Sequence, residues 1–204
     1  MKVVLASGSP RRRQLLEQVG IPHRVIVSDV DESIDGPPDE QVKNLALRKA
    51  DAVYEMLSHF PTKGDKAVSA DYGVSQNDTI IIAADTLVSI DNKVLGKPAT
   101  ADEAFAMLKS LSARQHTVYT GVAVLHDVTR IAFVSTAHVF FRDLTDYELL
   151  KYIASGEPFD KAGGYGVQEK GALLVERIDG DFYTVMGLPV ARLAVILREL
   201  GVDV

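Results

Sequence analysis

The sequence predicts a mixed α/β fold, and three observations carry that prediction. In the first half of the chain, short apolar runs bounded by small residues alternate with segments of helical periodicity. Later, HTVYTGVAVLHD and RIAFVSTAHVFFRD read as a long antiparallel pair. The chain has 204 residues, 47% hydrophobic and 25% charged, enough for a packed core in one large domain or two intimate lobes.

Taken in order, KVVLA at 2–6 reads as a buried strand. SGSP breaks it, and Pro10 suits the first position of a helix running to about Val19, with Gly20 as its stop. HRVIVS at 23–28 is a second strand, followed by the acidic loop DVDESIDGPPDE. Apolar residues at Val42, Leu45, Ala46, Ala50, Val53 and Leu57 mark a helix from about Asp39 to Leu57. Residues 58–78 are polar and turn-rich without a period, and are expected to be a surface insertion. TIIIAA and TLVSI flank Asp85, and Asp91-Asn92 forms a two-residue hairpin turn into KVLG. Thr100 with Glu103, and Thr145 with Glu148, have the capping-box pattern and open two further helices. The Gly-rich loop EPFDKAGGYGVQ, a strand near 172–178 and a helix from Pro189 to Leu200 complete the chain.

Composition removes several function classes. Without cysteine there are no disulfides, thiolate zinc sites or thiol nucleophiles. A net charge of -6 disfavours nucleic-acid binding through a generally basic surface. The N-terminal run lacks the pattern of a signal peptide, and no stretch is long enough to span a bilayer, so a cytoplasmic protein with no membrane partner is expected.

The cations that do cluster need a local explanation. Ser7, Gly8, Ser9, Pro10, Arg11 and Arg12 join a strand to a helix, where free backbone N–H groups face an anion. Positive side chains in a first helical turn oppose the macrodipole unless a polyanion neutralises them. The alternative is a solvated basic turn. Asp85 interrupts an apolar run, where an unpaired carboxylate is costly, so pairing, metal binding or catalysis is expected of it. With a turn at Asp91-Asn92, Thr86 falls opposite Lys97, which makes Lys97 a near neighbour of Asp85. That pair fits general-base work beside a phosphate, or a structural ion pair.

Lys49 lies on the apolar stripe of its helix, as a snorkelling lysine or as one more inward cation. Glu32 could bring a second carboxylate to the strand ends, with Asp85, for Mg²⁺ or Mn²⁺, or could simply be solvated. In DKAGGYGVQ, Lys161 and Gln168 accompany glycines that admit close approach, and Gln168 can read a base edge. A plain tight turn explains that loop as well. The five histidines show no metal-ligand spacing and are assigned to structure.

LASGSPRRRQLL at 5–16, DES at 31–33, RKA at 48–50, AADTLV at 83–88, LGKP at 95–98, DKAGGYGVQ at 160–168 and GLPV at 187–190 together resemble the Maf family of nucleotide pyrophosphatases. The resemblance spans nearly the whole chain, which it treats as one domain of residues 1–204. It implies a largely antiparallel, elongated mixed sheet flanked by helices, in two lobes around a cleft, similar to the inosine-triphosphate pyrophosphatases. It also implies metal-dependent hydrolysis between the α and β phosphates, commonly by a homodimer. Asp85 matches the family's general base, and Ser9, Arg12, Glu32, Lys49, Lys97 and Gln168 fall on its polar set. Arg11, Thr86 and Gln168 match the branch that hydrolyses dTTP and UTP. The polar insertion near 58–78 departs from the usual bacterial pattern. The rival expectations are a purine triphosphate pyrophosphatase of the inosine/xanthosine type and a nucleotide-binding regulator of cell division without turnover.

Overall fold

A computed structural model describes residues 1–58 and 78–204, so the expected insertion falls, apart from its two end residues, outside the described residues. β1 (Lys2–Leu5) leads into α1 (Pro10–Gln18), and β2 (His23–Val25) precedes α2 (Pro38–Ser58). β3 (Thr79–Ile90) turns into β4 (Lys93–Leu95), and α3 (Ala101–Leu111) follows. β5 (Gln115–His126) and β6 (Thr129–Phe141) form the long hairpin, then come α4 (Asp146–Ile153) and β7 (Val175–Asp179). Helices α5 (Phe182–Met186) and α6 (Val190–Glu199) end the chain.

The strands make one seven-stranded sheet of order β2-β1-β3-β5-β6-β7, with β4 paired to β3. β1 runs parallel to both β2 and β3, whereas β4 and β7 are antiparallel to β3 and β6. The sheet is therefore mixed, as expected from alternating elements early in the chain and hairpins later.

Several boundaries differ from the sequence reading. The two apolar runs around Asp85 are one continuous strand, because Ile80 through Ala84 are all buried and need no alternation. The second strand stops at Val25 rather than Ser28, and the strand expected near 172–178 begins at Val175, after a 3-10 turn over Glu169–Leu173. Helix α5 was not anticipated; Asp181 caps it by accepting from the Tyr183 and Thr184 N–H groups, and Gly187 ends it at φ 104°. The Thr145–Glu148 capping box is complete. That of Thr100 is half a box, since Glu103 accepts from the Ala99 N–H at 2.8 Å instead of from Thr100.

The chain forms two compact units. The first comprises Met1–Asp85, Gly121–Val134 and Val190–Val204. Within it, Ala46, Ala50, Val53 and Leu57 of α2 pack with Val4, Ile81, Ala83, Ala123 and Leu125 of the sheet. Gly121 makes that seating possible, because a Cβ there would lie 2.2 Å from the Val42 carbonyl oxygen. The second unit comprises Thr86–Thr120 and Ser135–Pro189. Its core joins Leu108 and Leu111 of α3, Leu149 and Tyr152 of α4, and Phe141 and Tyr165.

Candidate active site

In the first unit, β1 delivers Ser7 and α1 begins directly after Ser9. Ser7 and Arg12 are both buried, and the Arg12 Nη1 donates to Ser7 Oγ at 2.9 Å. The same oxygen accepts weakly from the Ser9 N–H at 3.3 Å. Ser9 occupies the N-cap position but makes no side-chain cap bond, and no acidic residue stands in the first turn. The helix entrance thus presents amide N–H groups and cationic side chains together, the arrangement that holds phosphate oxygens. The three arginines divide: Arg12 is buried, Arg11 half-buried, and Arg13 exposed, its Nε 3.7 Å from Glu17. Burial lowers the Arg12 pKa from its ordinary value; Asp85 pulls it back up, Arg11 lowers it further and Glu32 raises it.

Asp85 lies among the buried residues of β3 and is itself 8% exposed. Its partner is Lys49, whose ammonium lies 2.6 Å from Asp85 Oδ1 and 2.7 Å from Glu32 Oε1. Lys49 reaches this place because it shares a helical face with Leu45, Ala46, Ala50 and Val53, all buried against the sheet. Glu32 comes from the acidic loop after β2 and is largely exposed. Ser7, Arg12, Glu32, Lys49 and Asp85 are thereby gathered in one charged cluster. Among the described residues no group of three or more His, Cys, Asp or Glu could hold a metal ion. The two carboxylates on Lys49 are the candidate pair.

The second unit carries Thr86, Lys97, Lys161 and Gln168. Asp91 and Asn92 take φ values of 50° and 61°, as the tight hairpin turn requires. Pairing of Val88 with Leu95, Ser89 with Val94 and Ile90 with Lys93 is the register expected from that turn. The ladder ends there, so Thr86 and Lys97 lie beyond its last rung. Lys97 is exposed, in the segment that leaves β4. The Gly163 N–H donates to the Gly96 carbonyl at 3.0 Å, which joins the LGKP segment to the glycine loop. Lys161 is turned back on that loop, donating to the Glu157 carbonyl and to Asp160 Oδ1, each at 2.7 Å. A Cβ on Gly166 would lie 2.8 Å from Lys161 Cε, so the glycine makes room for the lysine stem. Gln168 is half-buried at the end of the loop.

Three features escaped the sequence reading. Thr86 Oγ1 lies 2.9 Å from Thr120 Oγ1, and Thr120 in turn donates to the Thr184 carbonyl at 2.8 Å. His116 and Tyr165 form a buried 2.6 Å hydrogen bond, edge-on to Phe141. Burial lowers the His116 pKa from 6.5 to about 4, leaving a neutral ring whose Nδ1 has no hydrogen-bond partner among the described residues. The Tyr152 hydroxyl accepts from the Gly166 N–H at 3.3 Å, a second buried phenol on the same loop. Only the aspartate three residues before Thr184 was a usable signal, as a helix cap.

The family model described as Maf-like protein matches residues 2–200. A dTTP/UTP pyrophosphatase of Caldicellulosiruptor saccharolyticus is 45% identical over 206 residues, covering 99% of this chain and 96% of the relative. One from Bacillus cereus is 43% identical over 205 residues, covering 100% and 97%. Among solved structures, the Staphylococcus aureus Ham1 protein superposes with a TM-score of 0.53 at 14% identity, over 98% of this chain and 99% of that one, a likeness of fold.

Proposed function

Because the chain belongs to the Maf-like protein family, we propose that it hydrolyses dTTP and UTP to the nucleoside monophosphate and pyrophosphate. The observation that carries this reading is the 2.6 Å pair of Lys49 and Asp85, with buried Arg12 in the same cluster at the entrance of α1. An apolar strand interrupted by one buried carboxylate, held beside cations and free helix N–H groups, suits attack on a phosphorus atom.

In this reading the α1 N–H groups, Arg11 and Arg12 hold the phosphate chain, with Ser7 fixing the Arg12 guanidinium and Ser9 adding a hydroxyl. Lys49 and Lys97 offset the charge that develops as pyrophosphate leaves. Asp85 takes a proton from water as the water oxygen bonds to the α-phosphorus and the bond to the bridging oxygen breaks. Lys161 and Gln168 contact the nucleotide from the glycine loop, and Arg11, Thr86 and Gln168 set the preference for thymine and uracil.

Glu32 and Asp85 suit Mg²⁺ or Mn²⁺, since one ammonium already lies within 2.7 Å of an oxygen of each. Such ions are commonly held by one or two carboxylates, with water and phosphate oxygens completing the shell. When bound, the ion supplies Lewis-acid neutralisation of the phosphate oxygens. A homodimer working in the cytoplasm fits the same reading; among the described residues no helix is long and apolar enough to cross a membrane.

The test is pyrophosphate release with Mg²⁺ across dTTP, UTP, CTP, ATP, GTP, ITP and 7-methyl-GTP. Turnover of dTTP and UTP, with monophosphate as co-product, is the expected result. Turnover of purines alone would overturn the pyrimidine assignment. Tight binding with no turnover would replace the enzyme by a nucleotide-binding regulator.

A further inference from the structure

Two successive side chains of α2 grip the acidic segment Asp31–Ser33, one by its carboxylate and the other by its backbone. Lys49 takes the Glu32 carboxylate, at 2.7 Å. Arg48 takes the peptide groups on either side of it. Its Nη1 donates to the Asp31 carbonyl and, more weakly at 3.5 Å, to the Ser33 carbonyl. The Ser33 N–H donates to Asp31 Oδ1 at 2.9 Å, which closes a turn around Glu32.

Glu32 needs such a hold. Between β2 and α2 the chain forms no helix or strand, so no ladder fixes the direction of this side chain. The Glu32 side chain is 63% exposed, and an ion pair that open to water contributes little towards keeping it in place. A guanidinium bonded to the flanking carbonyls acts instead on the backbone from which the carboxylate departs. Arg48 directly precedes Lys49. The packing of Ala46, Ala50 and Val53 on the sheet therefore fixes both grips together.

We propose that Arg48 is a positioning residue, which holds the Asp31 and Ser33 carbonyls and so keeps the Glu32 carboxylate beside Lys49 and Asp85, ready for a divalent cation. In this role Arg48 contacts neither the ion nor the nucleotide. The inference rests on the reading of Glu32 and Asp85 as the carboxylates that suit Mg²⁺ or Mn²⁺.

Charge and positioning predict opposite results when Arg48 is replaced. Removing a positive side chain near a cation site strengthens metal binding through Coulomb attraction alone. Removing the hold on Glu32 weakens it, by about 10–100-fold where an outer group orients a metal ligand.

The experiment measures Mn²⁺ binding to nucleotide-free protein by electron paramagnetic resonance. It compares wild type, Arg48→Met, Arg48→Leu, Arg48→Lys, Glu32→Gln and the double variant of Arg48→Met with Glu32→Gln. Arg48 is exposed, so Arg48→Met should fold as wild type does. Its Mn²⁺ binding should be weaker by about 10–100-fold, and amide exchange at residues 31–33 should quicken without metal. Arg48→Lys should recover part of the loss, since an ammonium still donates to a carbonyl. The double variant should bind no worse than Glu32→Gln alone, because Arg48 acts through Glu32. A folded Arg48→Met protein that binds Mn²⁺ as tightly as wild type, or more tightly, overturns the proposal. Arg48→Leu is read in the same way if Arg48→Met does not fold. A double variant whose loss is the sum of the two single losses overturns it too. If wild type binds no Mn²⁺, or Glu32→Gln binds it as wild type does, the metal reading itself falls, and this inference with it.

Discussion

Lys49 holds Asp85 and Glu32 at once: its ammonium lies 2.6 Å from one carboxylate and 2.7 Å from the other, with the lysine side chain only 13% exposed. An interior lysine is costly without such partners. The pairing also means that neither carboxylate is an isolated charge. It separates the two roles that substitution can probe, chemistry at Asp85 and charge balance at Lys49.

Asp85→Asn keeps the volume of the side chain and leaves Lys49 with Glu32. The variant should fold with a circular dichroism spectrum like that of wild type. Its kcat should fall by about 10²–10⁴, the usual contribution of a positioned general base. Single-turnover assays on dTTP measure this directly; near-normal kcat would take Asp85 out of the chemistry.

Lys49→Met preserves the stem that packs on the sheet and removes the cation between two carboxylates. Without nucleotide, the variant should bind Mn²⁺ more tightly than wild type, because the ion no longer displaces an ammonium. Electron paramagnetic resonance of free Mn²⁺ reads this in the absence of turnover. Equal or weaker binding would show that Glu32 and Asp85 do not share a metal.

The neutral, buried His116 makes stability depend on pH in a definite direction. Its folded pKa of about 4 lies below the ordinary 6.5, so the unfolded chain binds the extra proton. Its contribution is fully present above pH 6.5 and is lost as pH falls toward 4. The loss amounts to about 3 kcal/mol from this group alone. Urea titrations between pH 7 and 4 should show a shallower decline in His116→Phe than in wild type. Parallel declines would mean that other groups govern acid unfolding.

Gly121→Ala places a methyl group where the Val42 carbonyl oxygen would be 2.2 Å away. Backbone cannot yield as a flexible side chain does, so α2 must shift on the sheet. A loss of about 1–3 kcal/mol is expected from such overpacking, measurable as a lower urea midpoint. Unchanged stability would show that α2 can slide freely over β5.

The sequence disclosed the elements with strong local signals. Pro10, the α2 stripe and the Asp91-Asn92 turn each carry their geometry within a few residues, and a two-residue turn dictates the hairpin register. Asp85 stood out because it broke an apolar run. Its pairing with Lys49 was not legible, since the two residues are 36 positions apart and meet only when α2 packs. The Thr86–Thr120–Thr184 contacts were silent for the same reason: Thr86 and Thr120 look like ordinary strand formers, and Thr184 sits on a short helix far along the chain. The hydrogen bonds of Lys161 to the Glu157 carbonyl and to Asp160 were not legible either, since they use room left by Gly166, five residues later.

The entrance of α1, with an uncapped Ser9, no acidic residue in its first turn and arginines in their place, couples folding to the surrounding medium. A helix end of this kind is a poor structure in plain water and a good one beside an oxyanion. If that turn holds phosphate as proposed, inorganic phosphate, sulfate and the pyrophosphate product should all act on it. The melting temperature would then be a gauge of anion concentration, and amide exchange in residues 10–13 would report the filling of the site before any bond is broken.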